Sequence, residues 1–347
     1  MALPTSGAIS LSAIQTEFGG TNPISISEYF AAADGIPGNN NPISFSDFYG
    51  TSSNVDLDSV ATPVVINGQN SLQEITVSDY ISSGGMLTIP SGWWIWSDNT
   101  ANAGMTIDIP CTIINNGYII GRGGNGAGTI GYNGQAGGPA IRINSGVSNV
   151  SITNNTGAFI AGGGGGGGTQ NANGQRRGAG GGGAGGGTGG TNVKQNGTAH
   201  TTSSWSTGAV LNAAAAQPAQ VTSQTAQAGG VGSYARENST GSEVQGGSAG
   251  GGGRILPGAD CNPTVAYVTQ WGGDGTGGAG GQAGSQGQKS GSAASMGAGG
   301  GGWGARGGHG AGGRSITGTG GAGGKGVEPT GNTYTLVNNG TIFGATT

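Results

Sequence analysis

No lysine or arginine occurs among the first 110 residues, although that stretch holds ten acidic side chains, Glu17 to Asp108. All 11 Lys and Arg lie in residues 111–347, with only five acids. The two stretches carry about −10 and +6 charges, so two parts with different partners are expected. Charged residues make up only 7% of the chain, against roughly 25% in ordinary soluble domains. No basic run exceeds Arg176-Arg177, so the concentrated footprint that phosphate tracking needs is missing and nucleic acid is not an expected partner. Long apolar runs are missing too. No window reaches the roughly 18 apolar residues of a membrane span, and MALPTSGAIS lacks the basic start and apolar core of a signal peptide. Assembly in a cytoplasm without membrane insertion is expected. Cys111 and Cys261 are too few for a disulfide scaffold and read as free buried thiols, with a bridge as the alternative. His200 and His309 stand apart from any ligand cluster, so neither a metal site nor a cofactor is expected.

What abounds is glycine, 84 of 347 residues. A third of the chain is nevertheless apolar and the net charge is only −4. That combination argues against wholesale disorder, which needs high charge and low hydrophobicity.

Internal repeats come first. "ISLSAI" (9–14), "ISISEY" (24–29), "ISFSDF" (43–48) and, more weakly, "ITVSDY" (75–80) alternate apolar and small polar residues. Each reads as a short strand followed by a turn capped by Ser12, Ser27, Ser46 or Ser78; Ser12 with Gln15 matches a capping box. "LPTSGAISLSAIQTEFGGTNPISISEYF" followed by "NPISFSDFYG" resembles the amino-terminal module of many tailed-bacteriophage tail-fibre and virion structural proteins. The resemblance covers about residues 1–50 and implies attachment to another virion component. The implied attachment residues are Ile9, Leu11, Phe18, Ile24, Ile26, Tyr29, Ile43, Phe45, Phe48 and Tyr49. Fifty residues with few large apolar side chains would be marginal alone, which favours burial against a partner.

Residues 55–161 read as a β platform, β-helix-like or sandwich, because "PVVING", "EITVSDYI", "MLTIPSGWWIW", "MTIDIPCTIINNGYIIG" and "VSNVSITNNTGAFIAG" are short β-rich runs between turn residues. Alternation in "WWIW" sets Trp94 and Trp96 on one face and Trp93 and Ile95 on the other, with core packing preferred over a sugar-binding box. A second repeat, "INNGYIIG" (114–121), "TNNTGAFIAG" (153–162) and "VNNGTIFGAT" (337–346), reads as a tight turn feeding a strand. Its third copy closes the chain, so the glycine-rich part is an excursion from the platform and back.

Glycine runs at 121–138, 162–190, 229–232, 246–253, 272–284, 297–313 and 318–326 can form extended threefold helices of the polyproline II type. Such helices bond their backbone groups only to neighbours, so a bundle can be stable where a single helix cannot. Strict Gly-X-Y spacing is absent, which excludes collagen. This alternation of glycine runs and polar segments is similar in composition to the tip adhesins of T-even-like phage long tail fibres. That resemblance implies a polyglycine bundle displaying receptor loops.

The expected architecture is mainly β with irregular structure and little α-helix. It comprises an attachment module (1–54), a β platform (55–161), a bundle of packed polyglycine-II-type helices with receptor loops (162–336) and a returning strand (337–347). The expected function is a tail-fibre or tail-tip protein that attaches to the virion by its N-terminus and recognises a bacterial outer-membrane protein or polysaccharide, with a homotrimer possible. A virion decoration protein without a receptor is the alternative. Receptor contacts are expected at Trp205, Tyr234, Arg236, Tyr267, Trp271, Trp303 and His309, since aromatics and Arg give large, directional contacts; for the tryptophans, capping the bundle's apolar ends is the alternative. Paired carboxylates Asp98/Asp108 and Glu237/Glu243 carry no glycosidase motif, and an enzyme is not expected. "GRGGNG" (121–126) matches a dinucleotide fingerprint without the β-α-β context that gives it meaning.

Overall fold

A computed structural model describes residues 3–20, 22–30, 32, 36–37, 42–49, 54–66, 68–127, 133–168, 171–172, 176–177, 182–187, 229, 234–237, 243–246, 278–286, 295–296, 298–310 and 318–347. The described structure is mainly β, with few and short helices.

The amino-terminal repeats form capped helical turns. The first is the helix α1 (Leu11–Phe18), and the next two are one-turn 3-10 helices at Ile26–Tyr29 and Phe45–Phe48. The caps are Ser10, Ser25 and Ser44, two residues before the serines expected. Ser10 accepts the Ala13 amide at 3.1 Å. Glu28 and Asp47 reach back to the amides of Ser25 and Ser44, completing capping boxes. Ser12 cannot be the cap because it already lies inside α1. In these three units the residue before the helical turn is extended, but among the described residues no neighbouring strand bonds to it. Ile14, Tyr29 and Phe48, one per unit, are buried together with Leu3 and Ile36. The rings of Phe18, Tyr29 and Phe48 form a near-equilateral triangle with centroids 6.1 to 6.2 Å apart.

The platform is built in circuits. The first contains β1 (Asn54–Asp56), the short helix α2 (Leu57–Val60), β2 (Val64–Ile66), β3 (Gln69–Gln73) and β4 (Ile75–Thr76). The second has β5 (Met86–Ile89), β6 (Trp94–Trp96) and β7 (Met105–Ile107), and the third β8 (Thr112–Asn115), β9 (Tyr118–Ile120) and β10 (Ile141–Ile143). The fourth has β11 (Val150–Asn154) and β12 (Phe159–Ala161). It then leaves the platform through β13 (Asn171–Ala172), β14 (Arg176–Arg177), β15 (Tyr234–Glu237), β16 (Glu243–Gly246) and β17 (Ser295–Met296), and returns at β18 (Val327–Glu328). The fifth has β19 (Tyr334–Asn338) and β20 (Thr341–Phe343). Successive circuits pair in parallel to give three sheets, β1-β5-β8-β11-β19, β2-β3-β6-β9-β12-β20 and β4-β7-β10-β18; only β2 and β3 are antiparallel. The strand β10 was not among the runs expected from sequence, being a three-residue Ile-Arg-Ile alternation beside a glycine run.

Stacking explains the sequence repeats. Leu87, Ile113, Ile152 and Leu336 are register partners in the first sheet, and Ile95, Ile119, Ile160 and Ile342 in the second. Both stacks face one shared core. The Asn-Asn-Gly repeat sits at the corner between these sheets. Asn115 Nδ2 donates to Asn154 Oδ1 at 2.8 Å, and Asn154 Nδ2 to Asn338 Oδ1 at 2.8 Å. Each rung satisfies the next, so the amides of Asn115 and Asn154 can be fully buried.

Circuits differ most at one corner, the passage from the second sheet to the third. It is Glu74 alone in the first circuit, residues 97–104 in the second, 121–140 in the third and 162–326 in the fourth. Glu74 adopts φ 51° there, and its carboxylate accepts from Ser97 Oγ and Asn102 Nδ2, each at 2.8 Å, tying the first corner to the second.

The described glycine residues of the last two corners pack on one another. Residues 162–168 are buried and bond with a period of three. The amides of Gly121, Gly124 and Ala127 donate to the carbonyls of Ala161, Gly164 and Gly167. Gly163 and Gly166 donate to Gly138 and Gln135, Gly165 and Gly168 to Ala305 and Gly308, and Gly164 to Ala184. Ala298, Gly301 and Gly304 donate to Gly168, Gly165 and Gly162, while Gly321 and Gly324 donate to Gly166 and Gly163. A Cβ on Gly165 would coincide with the Gly321 carbonyl, and one on Gly166 with that of Asn125. Side chains are therefore excluded by backbone, which cannot move aside.

Three outcomes follow. Gly165→Val should lower stability by about 3 kcal/mol or more through overpacking. Gly146→Ala, at φ 84° with open space around it, should cost only the left-handed backbone penalty of about 1–2 kcal/mol; equal effects in thermal unfolding would contradict the close packing. Asn154→Ala removes the middle rung and takes away the 2.8 Å acceptor of the buried Asn115 amide, for a loss of about 1–3 kcal/mol by denaturant titration. Cys111 is free and buried, and burial, then the nearby Asp108 charge, pushes its thiol up to about 12. Its folded pKa exceeds its unfolded one, so its contribution is complete below about pH 8.5 and is lost as pH rises towards 12. In a Cys261→Ser background, alkylation at pH 8 should need unfolding; rapid labelling of folded chain would contradict this burial.

Candidate functional site

Aromatic side chains join the platform to the glycine segments. On the outer face of the second sheet Trp94, Tyr118 and Phe159 are register partners, with centroids 4.5 Å apart for Trp94–Tyr118 and 4.2 Å for Tyr118–Phe159. Trp303 lies over this ladder, 5.0 Å from Phe159 and 5.9 Å from Phe343. Ala161 and Ala184 complete the cluster. Trp93 and Ile95 face the other way, into the shared core, so the "WWIW" strand serves two cores by simple alternation. The indole N–H groups of Trp96 and Trp303 are buried without a partner among the described residues.

This geometry sorts the residues singled out in the sequence. Trp303 is fully buried, which is the capping alternative: its indole seals the junction and offers no receptor contact. His309 is half-buried, and its Nδ1 accepts the Gly320 amide at 3.4 Å. Trp205, Tyr267 and Trp271 lie outside the described residues, as does Cys261. Tyr234 and Arg236 lie on β15, which pairs with β16 and β17. In the amino-terminal module Tyr29 and Phe48 are core residues, Ile9, Phe18, Ile24, Ile26 and Ile43 pack around them, and Leu11 is half-buried. Phe45 and Tyr49 are 42% and 39% exposed. Sequence reasoning missed Ile14 as a core residue, although it occupies the same repeat position as Tyr29 and Phe48.

The glycine runs have two unlike ends. Their described reversals, near Gly183–Gly187, Ala279–Gln282 and Gly302–Ala305, sit beside the platform. Gly185 adjoins Gly121, Gly281 faces the Phe343 ring and Gly304 meets Gly344. The opposite ends, marked by the bonded pair Ala298 and Gly168, lead directly into β17 and β13. There β14 lies against β15 and β17, so Tyr234, Arg236, Arg176 and Arg177 belong to a small β assembly at the end far from the platform.

Asp108 accepts the Ser78 amide at 3.1 Å and so caps the turn Val77–Asp79. Glu237 and Glu243 are cross-strand partners. Among the described residues no group of three His, Cys, Asp or Glu could hold a metal ion, and no helix is long and apolar enough to cross a membrane. Residues 121–127 lie in no strand or helix. A groove of about 550 Å³ beside the fifth circuit is lined by Lys325, Glu328, Tyr334 and Thr346 among others; Glu328 is held there by Arg142 at 2.6 Å.

No curated protein matches the chain. A solved structure described as the gp37-gp38 adhesin tip complex of the bacteriophage S16 long tail fiber aligns over 96% of this chain and 91% of that one, at 16% identity and a TM-score of 0.35. The family model for the phage tail fibre adhesin Gp38 matches residues 51–254, which is more than half of the chain and includes the platform circuits up to the excursion. The chain belongs to the Gp38 family of phage tail fibre adhesins.

Proposed function

We propose that this adhesin attaches to its virion through residues 1–54 and recognises a bacterial surface receptor through segments at the far end of the glycine region. In this reading residues 55–161 and the returning 337–347 form a β-helix-like platform, and 162–336 a bundle of polyglycine-II-type helices. The three-residue period of the bonds made by residues 162–168 supports the helix type, since a threefold helix points every third amide at the same neighbour. The circuit order of the three sheets supports the platform type over a sandwich. The protein would act at the tail-fibre tip, without chemistry of its own.

The observation that carries the receptor reading is the asymmetry of the runs. Their described reversals lie against the platform, whereas the β13–β17 assembly lies at the other end. Packing of backbone on backbone leaves no room for side chains along the runs, so recognition chemistry belongs at the free end, where loops are least constrained. Tyr234 and Arg236 on β15 and the half-buried His309, with Trp205, Tyr267 and Trp271, remain the proposed contacts, and an outer-membrane protein or polysaccharide the proposed receptor.

Excising residues 162–326 rejoins β12 to β18 at a corner that the first circuit closes with Glu74 alone. Particles carrying the excised chain should assemble and fail to adsorb; normal adsorption would overturn the receptor reading. Alanine at Tyr234, Arg236, Trp205, Tyr267 or Trp271 should lower adsorption at unchanged melting temperature. Trp303→Ala should instead cost about 3–5 kcal/mol of stability.

A further inference from the structure

The third sheet is extended circuit by circuit through one recurring bond. Met105, Ile141 and Val327 are register partners, and each donates its amide to the carbonyl just before the next segment of the sheet. Met105 donates to Ala140 at 2.9 Å, Ile141 to Gly326 at 3.1 Å and Val327 to Ala345 at 3.2 Å. Thr346 follows Ala345 as Val327 follows Gly326, so Thr346 and Thr347 occupy the third-sheet position of the fifth circuit. The ladder does not run on past them, because Pro329, next after Glu328, has no amide to donate.

At this break lies the groove of about 550 Å³, a volume within the range of small-ligand sites. Its walls are fixed by bonds within the chain. Thr330 and Gly331 turn through φ 46° and 88°. The Asn332 side chain clamps that turn, donating to the Asn144 and Pro329 carbonyls at 2.8 and 2.7 Å and accepting the Gly146 amide at 3.0 Å. The Tyr334 hydroxyl donates to the Thr346 carbonyl at 2.7 Å, which holds its ring at the groove. Arg142 Nε holds Glu328 Oε2 at 2.6 Å. Other polar groups of the lining are uncommitted. Among the described residues, the Lys325 ammonium, Glu328 Oε1 and the hydroxyls of Thr333, Thr346 and Thr347 have no hydrogen-bond partner.

We propose that this groove is a saccharide site, taking one pyranose unit of a bacterial surface polysaccharide. A peptide adding as a strand draws its affinity from backbone bonds, and Pro329 withholds the donor it would need. An apolar ligand would cover the Lys325 and Glu328 charges without pairing them. A phosphate or carboxylate would meet a single ammonium beside the Glu328 carboxylate, where like charge opposes it. A sugar hydroxyl both donates and accepts, so one pyranose can serve the threonine hydroxyls, the ammonium and the carboxylate oxygen together. The Tyr334 ring and Pro329 offer apolar surface to the C–H face of the same sugar. Because the walls are already held in place, little ordering is charged against binding. The site belongs to the platform and does not depend on the contacts at the far end of the glycine region; it adds a weak second contact that raises avidity.

The test is nuclear magnetic resonance of the isotope-labelled full-length chain, titrated with D-glucose, D-galactose, N-acetyl-D-glucosamine and L-glycero-D-manno-heptose. At least one sugar should bind with a millimolar Kd and shift the amides of Thr333, Thr346 and Thr347. Thr333→Val and Thr346→Val each remove a hydroxyl at nearly constant volume. Each should weaken binding about threefold to tenfold at unchanged melting temperature. No shift of these amides with any of the four sugars would overturn the site. Binding that neither substitution weakens, or equal shifts from glycerol at the same concentration, would overturn it as well. Shifts from inorganic phosphate or from a short capped peptide, with none from the sugars, would replace it with an anion site or with strand addition.

Discussion

Every buried backbone amide and carbonyl must find a partner, and in this chain that requirement is met twice by different means. In the platform, parallel strands stack circuit on circuit and the groups pair sideways. In the described glycine segments most groups pair with the backbone of other glycine segments, so each run depends on neighbours close enough to bond directly. That proximity is possible only without side chains, as the carbonyls occupying every would-be Cβ position of residues 162–168 indicate. Glycine loses the most conformational entropy on folding, and a single run offset against water would not persist. The runs hold because they are many and because each amide direction meets a different neighbour.

The two regimes need a joint, and the joint is aromatic. Trp303 extends the Trp94, Tyr118 and Phe159 ladder from the platform into the first layer of glycine backbone. Ala161 and Ala184 are small enough to let backbone approach there. Large rings and Ile120 on one side and glycine on the other give a close-packed seam. The excursion's position follows from the same economy. It leaves from the corner that already lengthens from Glu74 to 97–104 to 121–140, so the insertion grows layer upon layer and its earlier layers become neighbours for the later ones.

Sequence made the stacking residues legible because a rung repeats its chemistry. Asn115 donates to Asn154 and Asn154 to Asn338, so the motif recurs even across the whole excursion. The faces of Trp93 to Trp96 were legible from alternation alone. The caps were misplaced by two residues because a Ser-x-Ser pattern offers two hydroxyls, and only the start of the helix decides which one is outside it. Strand halves in the first three repeats were over-read, since an extended residue becomes a strand only with a neighbour. Circuit order was not legible, because parallel pairing joins segments far apart in the chain and a sandwich would show the same short runs. Burial of Trp303 was equally hidden, as it depends on a seam between two regions rather than on local pattern.

The central claim is that the glycine runs are held by backbone bonds to one another. Amide hydrogen exchange of glycine-labelled full-length chain tests it most directly. Residues 162–166 and 168, each donating to a protein carbonyl, should exchange as slowly as the core amides of β8 and β11. Exchange at unfolded-chain rates across 162–168, with β8 and β11 still protected, would contradict the account.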